Sequence, residues 1–95
     1  MNKYECIYVI RPSVEEEGLK TLVEKFSNLI VNEGGQVDNL DEWGKRRLAY
    51  PIDDLKEGYY VMMNFSAPST VPQELERVFK ITDDILRYLT IREDD

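Results

Sequence analysis

The chain has 95 residues, of which 42% are hydrophobic and 33% charged, and its formal net charge is -7. Those proportions suit one small domain around one core and exclude a disordered segment. Histidine is absent and Cys6 is the only cysteine, which removes the commonest general base, the commonest metal ligand, and any intramolecular disulfide or thiolate cluster.

No apolar run nears the ~20 residues of a membrane span, and residues 1–5 do not lead into a signal peptide. With a single thiol, the expected location is the reducing cytoplasm. No cofactor or metal is expected, and catalysis has little support. Nothing resembles a Gly-rich phosphate loop followed by Lys and Ser/Thr. Paired acids occur at Asp53-Asp54, Asp83-Asp84 and Asp94-Asp95, where polar or terminal surroundings favour turns over acid/base pairs.

In chain order, residues 3–11 alternate and are rich in Tyr, Ile and Val, which predicts a strand with Cys6 as a small buried hydrophobe. Pro12 ends it. Ser13 and Glu16 are spaced as a capping box, and Glu15, Glu16 and Glu17 suit the positive end of a helix dipole. Leu19, Leu22, Val23, Phe26, Leu29 and Ile30 follow at spacings of three and four, one apolar helical stripe that Gly34-Gly35 should stop.

Residues 37–52 predict a long second strand with a change of phase. Leu40, Leu48, Tyr50 and Ile52 share one parity and Val37, Trp43 and Ala49 the other. A bulge near Gly44 would reconcile them. Residues 53–58 read as a polar turn. Residues 59–65 predict a third strand, with Tyr59, Val61, Met63 and Phe65 on one side and Tyr60, Met62 and Asn64 on the other. Thr70 and Gln73 are spaced as a second capping box, Pro72 is tolerated in a first turn, and Val71, Leu75, Val78 and Phe79 form the stripe of a second helix. Thr82-Asp83-Asp84 should turn into a last strand over residues 85–92, whose phase is open: Leu86 and Tyr88 compete with Ile85 and Leu89 for the interior.

Strand-helix-strand-strand-helix-strand is the order of an α+β ferredoxin-like sandwich, a four-stranded antiparallel sheet with two helices on one face. One domain over residues 1–95 is expected, with a short acidic tail at residues 93–95. The second and fourth strands would be the edges. If Cys6, Tyr8, Val61, Met63 and Phe65 face the helices, the open face carries Ile7, Val9, Tyr60 and Met62, an apolar patch that suggests a partner.

The acidic chain turns basic in one place, Trp43-Gly44-Lys45-Arg46-Arg47-Leu48-Ala49-Tyr50-Pro51-Ile52, where three consecutive cations have no carboxylate among them. Bounded by Trp and Tyr, they read as a surface for an anion, above all a phosphate backbone. A plainer account is a solvated edge strand whose charges oppose edge-to-edge pairing. In strand geometry Lys45 and Arg47 point to one face and Arg46 to the other.

The stretch Gly44-Lys45-Arg46-Arg47-Leu48-Ala49-Tyr50-Pro51-Ile52, with Gly58-Tyr59-Tyr60, the closing Asp84-Ile85-Leu86-Arg87-Tyr88-Leu89 and the opening Tyr4-Glu5, resembles the bacterial small-ribosomal-subunit protein S-six family from end to end. The resemblance implies a non-enzymatic ribosomal protein that binds the central domain of small-subunit ribosomal RNA together with the small basic ribosomal protein S-eighteen. It carries RNA contact over to Lys45, Arg46 and Arg47, with Arg87 as a further candidate and Lys3 and Tyr4 as weaker ones. Some members of that family carry a long acidic extension after the last strand, and functions tied to it do not carry over. Two other readings share the fold. A stand-alone RNA-recognition-type module would stack bases on its central strands, but residues 59–65 lack its Lys/Arg-Gly-aromatic pattern. A small-molecule regulatory or oligomerisation domain would leave the basic run unexplained.

Overall fold

Alternating Tyr, Ile and Val along Asn2–Ile10 form β1 in the computed structural model, which describes residues 1–52 and 54–93. The elements that follow are α1 (Glu16–Asn32), β2 (Gln36–Ile52), β3 (Leu55–Ala67), α2 (Val71–Ile81) and β4 (Ile85–Arg92). The sheet order is β2-β3-β1-β4 with every pair antiparallel, so β2 and β4 are the edges of a ferredoxin-like sandwich.

The core lies between the inner sheet face and the two helices. Tyr4, Cys6, Tyr8 and Ile10 from β1 and Val61, Met63 and Phe65 from β3 meet Val23, Phe26 and Ile30 of α1 and Val71, Leu75, Val78 and Phe79 of α2. Burial pushes the Cys6 thiol up to about 12, which leaves it protonated and inert. At the end of α1 the Gly35 N–H donates to the Ile30 carbonyl and the Gly34 N–H to the Val31 carbonyl, with Gly34 at φ 92°. That pair of bonds is a Schellman cap, and the positive φ requires glycine there.

Neither capping box forms. Helix α1 starts at Glu16, after a turn in which the Val14 N–H donates to the Arg11 carbonyl; Glu15 is the N-cap residue and no side chain caps it. Thr70 precedes α2 in an αR conformation, with the Val71 N–H donating to the Pro68 carbonyl and no side-chain cap bond. Helix α1 has an extended N-cap, but it is Glu15, two residues past Ser13, whereas at α2 the expected N-cap Thr70 is itself αR. The acids that meet the α1 dipole in its first turn are Glu16 and Glu17.

The segment read as a polar turn belongs largely to β3. The β2–β3 pairing continues through Arg46↔Gly58 and Arg47↔Glu57 to Ile52↔Leu55, and Asp54 takes φ 65° at the tip. Asp53, the other residue of that expected turn pair, lies outside the described residues, as do Asp94 and Asp95 of the expected tail. Glu93 is tied to the sheet, its N–H donating to the Lys3 carbonyl and its carboxylate accepting from Asn64.

The phase of β4 is settled by a bulge. Val9 pairs with Arg87 and Ile10 with Ile85, so Leu86 is the extra residue. Ile85 and Tyr88 therefore both pack against the core, Tyr88 stacking on Phe79 with centroids 5.1 Å apart, while Leu89 is exposed.

Val9, expected on an uncovered face, is 2% exposed. Gly58 presses onto it: a Cβ added to Gly58 would lie 2.3 Å from Val9 Cγ1 and 3.4 Å from the Ile10 carbonyl oxygen. Gly58→Ala should therefore destabilise the fold by about 1–3 kcal/mol, the range for overpacking a filled site. Combined with Val9→Ala, the loss should fall short of the sum of the two single losses, because the substitutions relieve one another. Urea denaturation measures both; a Gly58→Ala midpoint equal to wild type would mean that the two strands do not meet this closely.

Candidate nucleic-acid interface

Strand β2 outruns the rest of the sheet. Opposite β3 it first runs Gln36↔Ser66 to Glu42↔Val61, and then Gly44 takes φ 85° beside a register shift at Trp43. A G1-type irregularity of this kind re-aims a strand and sharpens its twist. Beyond it Lys45, Arg46 and Arg47 face Tyr59, Gly58 and Glu57, and the two strands continue as a β-hairpin arm. The bulge expected near Gly44 is thus the base of the arm that carries the cations.

Lys45, Arg46 and Arg47 are all exposed. Their register puts Lys45 and Arg47 on the parity of Tyr59, toward the helices, and Arg46 on the open-face parity of Gly58 and Tyr60. Among the described residues no ion pair engages these three side chains or Arg87. Their charge is therefore not internally neutralised.

Arg87 stands on the opposite edge strand, yet its guanidinium carbon lies 5.3 Å from the centre of the Tyr50 ring, a cation–π contact that joins β4 to the arm. Strand order alone would separate these residues by two strands, so the arm must reach across the end of the open face. Leu48, between Arg46 and Tyr50 on the same parity, is 6% exposed although it lies outside the main core. Lys56, within the segment misread as a turn, joins Arg47, Leu48, Ala49 and Pro51 around a hollow of about 200 Å³ on the arm. A strand assignment for residues 55–58 would have revealed it as a further cation of this cluster.

The two weaker candidates are placed apart from the cluster. Lys3 pairs with Ser66, seven residues along β3 from the partner of Lys45, or roughly 20 Å at the rise of a strand. Tyr4 is a core residue, 6% exposed, its ring stacked on Phe65 with centroids 5.3 Å apart. Its parity on β1 turns it toward the helices. Arg11 is engaged with the turn before β4, its Nε donating to the Asp83 carbonyl at 3.0 Å, and Arg92 donates to Asn2.

The carboxylates of β2 are mostly occupied upstream of the arm. Asp38 accepts from Ser66 at 2.6 Å and from Gln36 at 2.8 Å, and those bonds hold its carboxyl below the usual carboxylate range. Asp41 accepts from the Trp43 indole at 3.1 Å and Glu42 from the Tyr59 hydroxyl at 2.8 Å. Burial, reinforced by Glu42, pushes Tyr59 up to about 12. The shifts of Asp38 and Tyr59 both run away from neutrality, the direction opposite to that of a group tuned for acid/base catalysis. Strand β2 is thus acidic in its first half and basic in its second.

Open sheet face, two helices on the other side and a basic arm define a ferredoxin-like binding protein, with its charge arranged for contact and not for chemistry. A family model described as "Ribosomal protein S6" matches residues 3–92. The chain is 58% identical to "Small ribosomal subunit protein bS6" of Thermoanaerobacter pseudethanolicus over 95 residues, all of both chains, and equally so to that of Caldanaerobacter subterraneus subsp. tengcongensis. A solved structure, the 30S ribosomal protein S6 of Thermotoga maritima, superposes with a TM-score of 0.92 at 33% identity, over 97% of this chain and 87% of that one. The chain belongs to the ribosomal protein S6 family.

Proposed function

We propose that this protein is a structural component of the small ribosomal subunit in the cytoplasm, and that it binds the central domain of small-subunit ribosomal RNA together with the basic protein S-eighteen. The observation that carries this reading is the family match across residues 3–92, with relatives named for the small subunit over their whole length. The binding surface in this reading is the arm, with Lys45, Arg46, Arg47 and Lys56 facing phosphates and Arg87 beside them. Lys3 would act as a separate outlying contact.

A net charge of -7 does not forbid RNA binding. Salt screens charges beyond a Debye length of about 8 Å at physiological ionic strength, so carboxylates elsewhere on the sheet and helices weigh little at the arm. Four phosphate contacts give a slope of roughly -3 for log affinity against log salt, a modest electrostatic contribution. RNA affinity from the arm alone is therefore weak, and the acidic remainder suits a basic partner that supplies further phosphate contacts. Titrating a central-domain RNA fragment with the protein alone, and then with S-eighteen present, tests the reading. Tight binding only with the partner is expected, and equal tight binding by the isolated chain would overturn it.

A further inference from the structure

On the helix side of the sheet, away from its open face, a groove of about 450 Å³ lies between α1 and the β2 margin. Helix α1 leaves this margin uncovered. Leu40 pairs with Met63 on the core-facing parity, yet it is 38% exposed while Met63 is fully buried. Leu19 and Val23 of α1 complete an apolar floor with it. The rim is acidic: Glu16, Glu24 and Glu42 line the groove, and Lys20 is the one cation in the lining. Glu16 and Glu24 are both on α1, roughly 12 Å apart along its axis, so the acids are spread along the helix and not gathered at one point. Glu42 accepts from the Tyr59 hydroxyl at 2.8 Å, and among the described residues no ion pair engages Glu16, Lys20 or Glu24. Strand β2 is a sheet edge, so no further strand of the sheet lies beyond it.

We propose that this groove is a docking surface for a cationic segment of another protein, one that carries a single apolar anchor residue. Three carboxylates against one ammonium repel the phosphates that the arm attracts, so RNA does not fit here. A metal ion does not fit either, because among the described residues no group of three or more acids lies close enough to hold one. A second copy of this chain would bring its own net charge of -7, which opposes association at long range. A basic segment is instead steered in by the field of the rim, and its apolar anchor takes Leu40 out of water. Arginine and lysine suit the site twice over. Their aliphatic stems can lie along Leu19 and Leu40 while their charged heads reach the acids. The groove also adjoins the arm, since Tyr59 lines it and pairs with Lys45. A basic segment seated there would extend the cationic surface that begins at Lys45.

The probe is a short fluorescent peptide of alternating arginine and serine around one central leucine, titrated by anisotropy into the free protein without RNA. Saturable binding that weakens as salt rises is expected, and it should weaken further when the peptide's leucine is replaced by serine. Glu16→Gln combined with Glu24→Gln should lower the affinity about fivefold, in line with the loss of two exposed ion pairs. Leu40→Ser should lower it about threefold through lost apolar contact. All three positions are exposed, so circular dichroism should find both variants folded. Glu76→Gln, which removes an acid of α2 outside the groove, should bind as wild type does. An equal loss in Glu76→Gln would overturn the proposal, because the peptide would then be reading net charge alone. Wild-type affinity in both groove variants would overturn it too. Repeated in the complex with S-eighteen, the titration should give the same affinity, and abolished binding there would assign the groove to that partner instead. Sedimentation of the free protein should show a monomer; a dimer that the groove variants dissociate would hand the surface to a second copy. With no RNA present, none of these outcomes bears on the RNA-binding reading.

Discussion

Phe26→Ala should cost about 3–5 kcal/mol, the range for removing a fully buried phenyl group. Phe26 is 0% exposed and stands at the centre of an aromatic chain, with centroids 5.1 Å from Tyr8 and 4.6 Å from Phe79, and Phe79 in turn stacked on Tyr88. That chain links α1, β1, α2 and β4, so its loss is felt in both layers at once. Collapse around the cavity is restricted because Tyr8 and Phe79 are themselves nearly fully buried. For a domain of this size each kcal/mol moves the melting temperature by roughly 4–8 °C, so a fall of about 15 °C or more is expected in a thermal melt. Val31→Ala, at a site 57% exposed on the same helix, should stay within about 0.5 kcal/mol of wild type. Equal shifts for the two variants would contradict the assignment of the core.

Replacing Lys45, Arg46 and Arg47 together by Ala should weaken RNA binding by the complex with S-eighteen roughly 100-fold near 0.15 M salt, and flatten its log–log salt slope by between two and three. All three side chains are exposed on the arm and unpaired with any acid among the described residues, so their removal breaks no ion pair there. Stability should change little or even rise, since the variant loses charge without losing buried area. The combination of intact folding, weaker RNA binding and a flatter slope is diagnostic of counterion release at the arm. A weaker affinity with an unchanged slope would instead mean that these residues act through packing or through the partner.

Much of the scaffold was legible because periodicity and burial agree. The stripe from Leu19 to Ile30, the alternation of Tyr59 to Phe65 and the stripe from Val71 to Phe79 each point at the core, as their spacing requires. Gly44 was legible too, since a phase change around a lone glycine in a strand has few other solutions. Residues 55–58 were misread because Lys, Glu and Gly are poor strand formers; there the ladder is held by pairing to β2, including Glu57 opposite Arg47. The capping boxes failed because spacing reports neither where a helix starts, two residues later than Ser13 required, nor whether the residue before it is extended, which Thr70 is not.

The site was legible in composition and not in geometry. Three adjacent cations announce an anion surface, but the contact between Tyr50 and Arg87 depends on how far the arm bends, which no local pattern encodes. The close approach of Gly58 to Val9 is equally a tertiary fact, visible in the sequence only as a glycine before two tyrosines. Tyr4 entered as a contact through the resemblance alone, while the alternation of β1 places it with Cys6 and Tyr8 on the core side, stacked on Phe65.

The central claim is that the cations of the arm hold this protein on the small ribosomal subunit. Assembly of small subunits with wild-type protein or with the Lys45/Arg46/Arg47→Ala variant, followed by sedimentation through a high-salt cushion, measures it most directly. Wild-type protein should remain in the particle and the variant should be washed away. Equal retention of both would contradict the account.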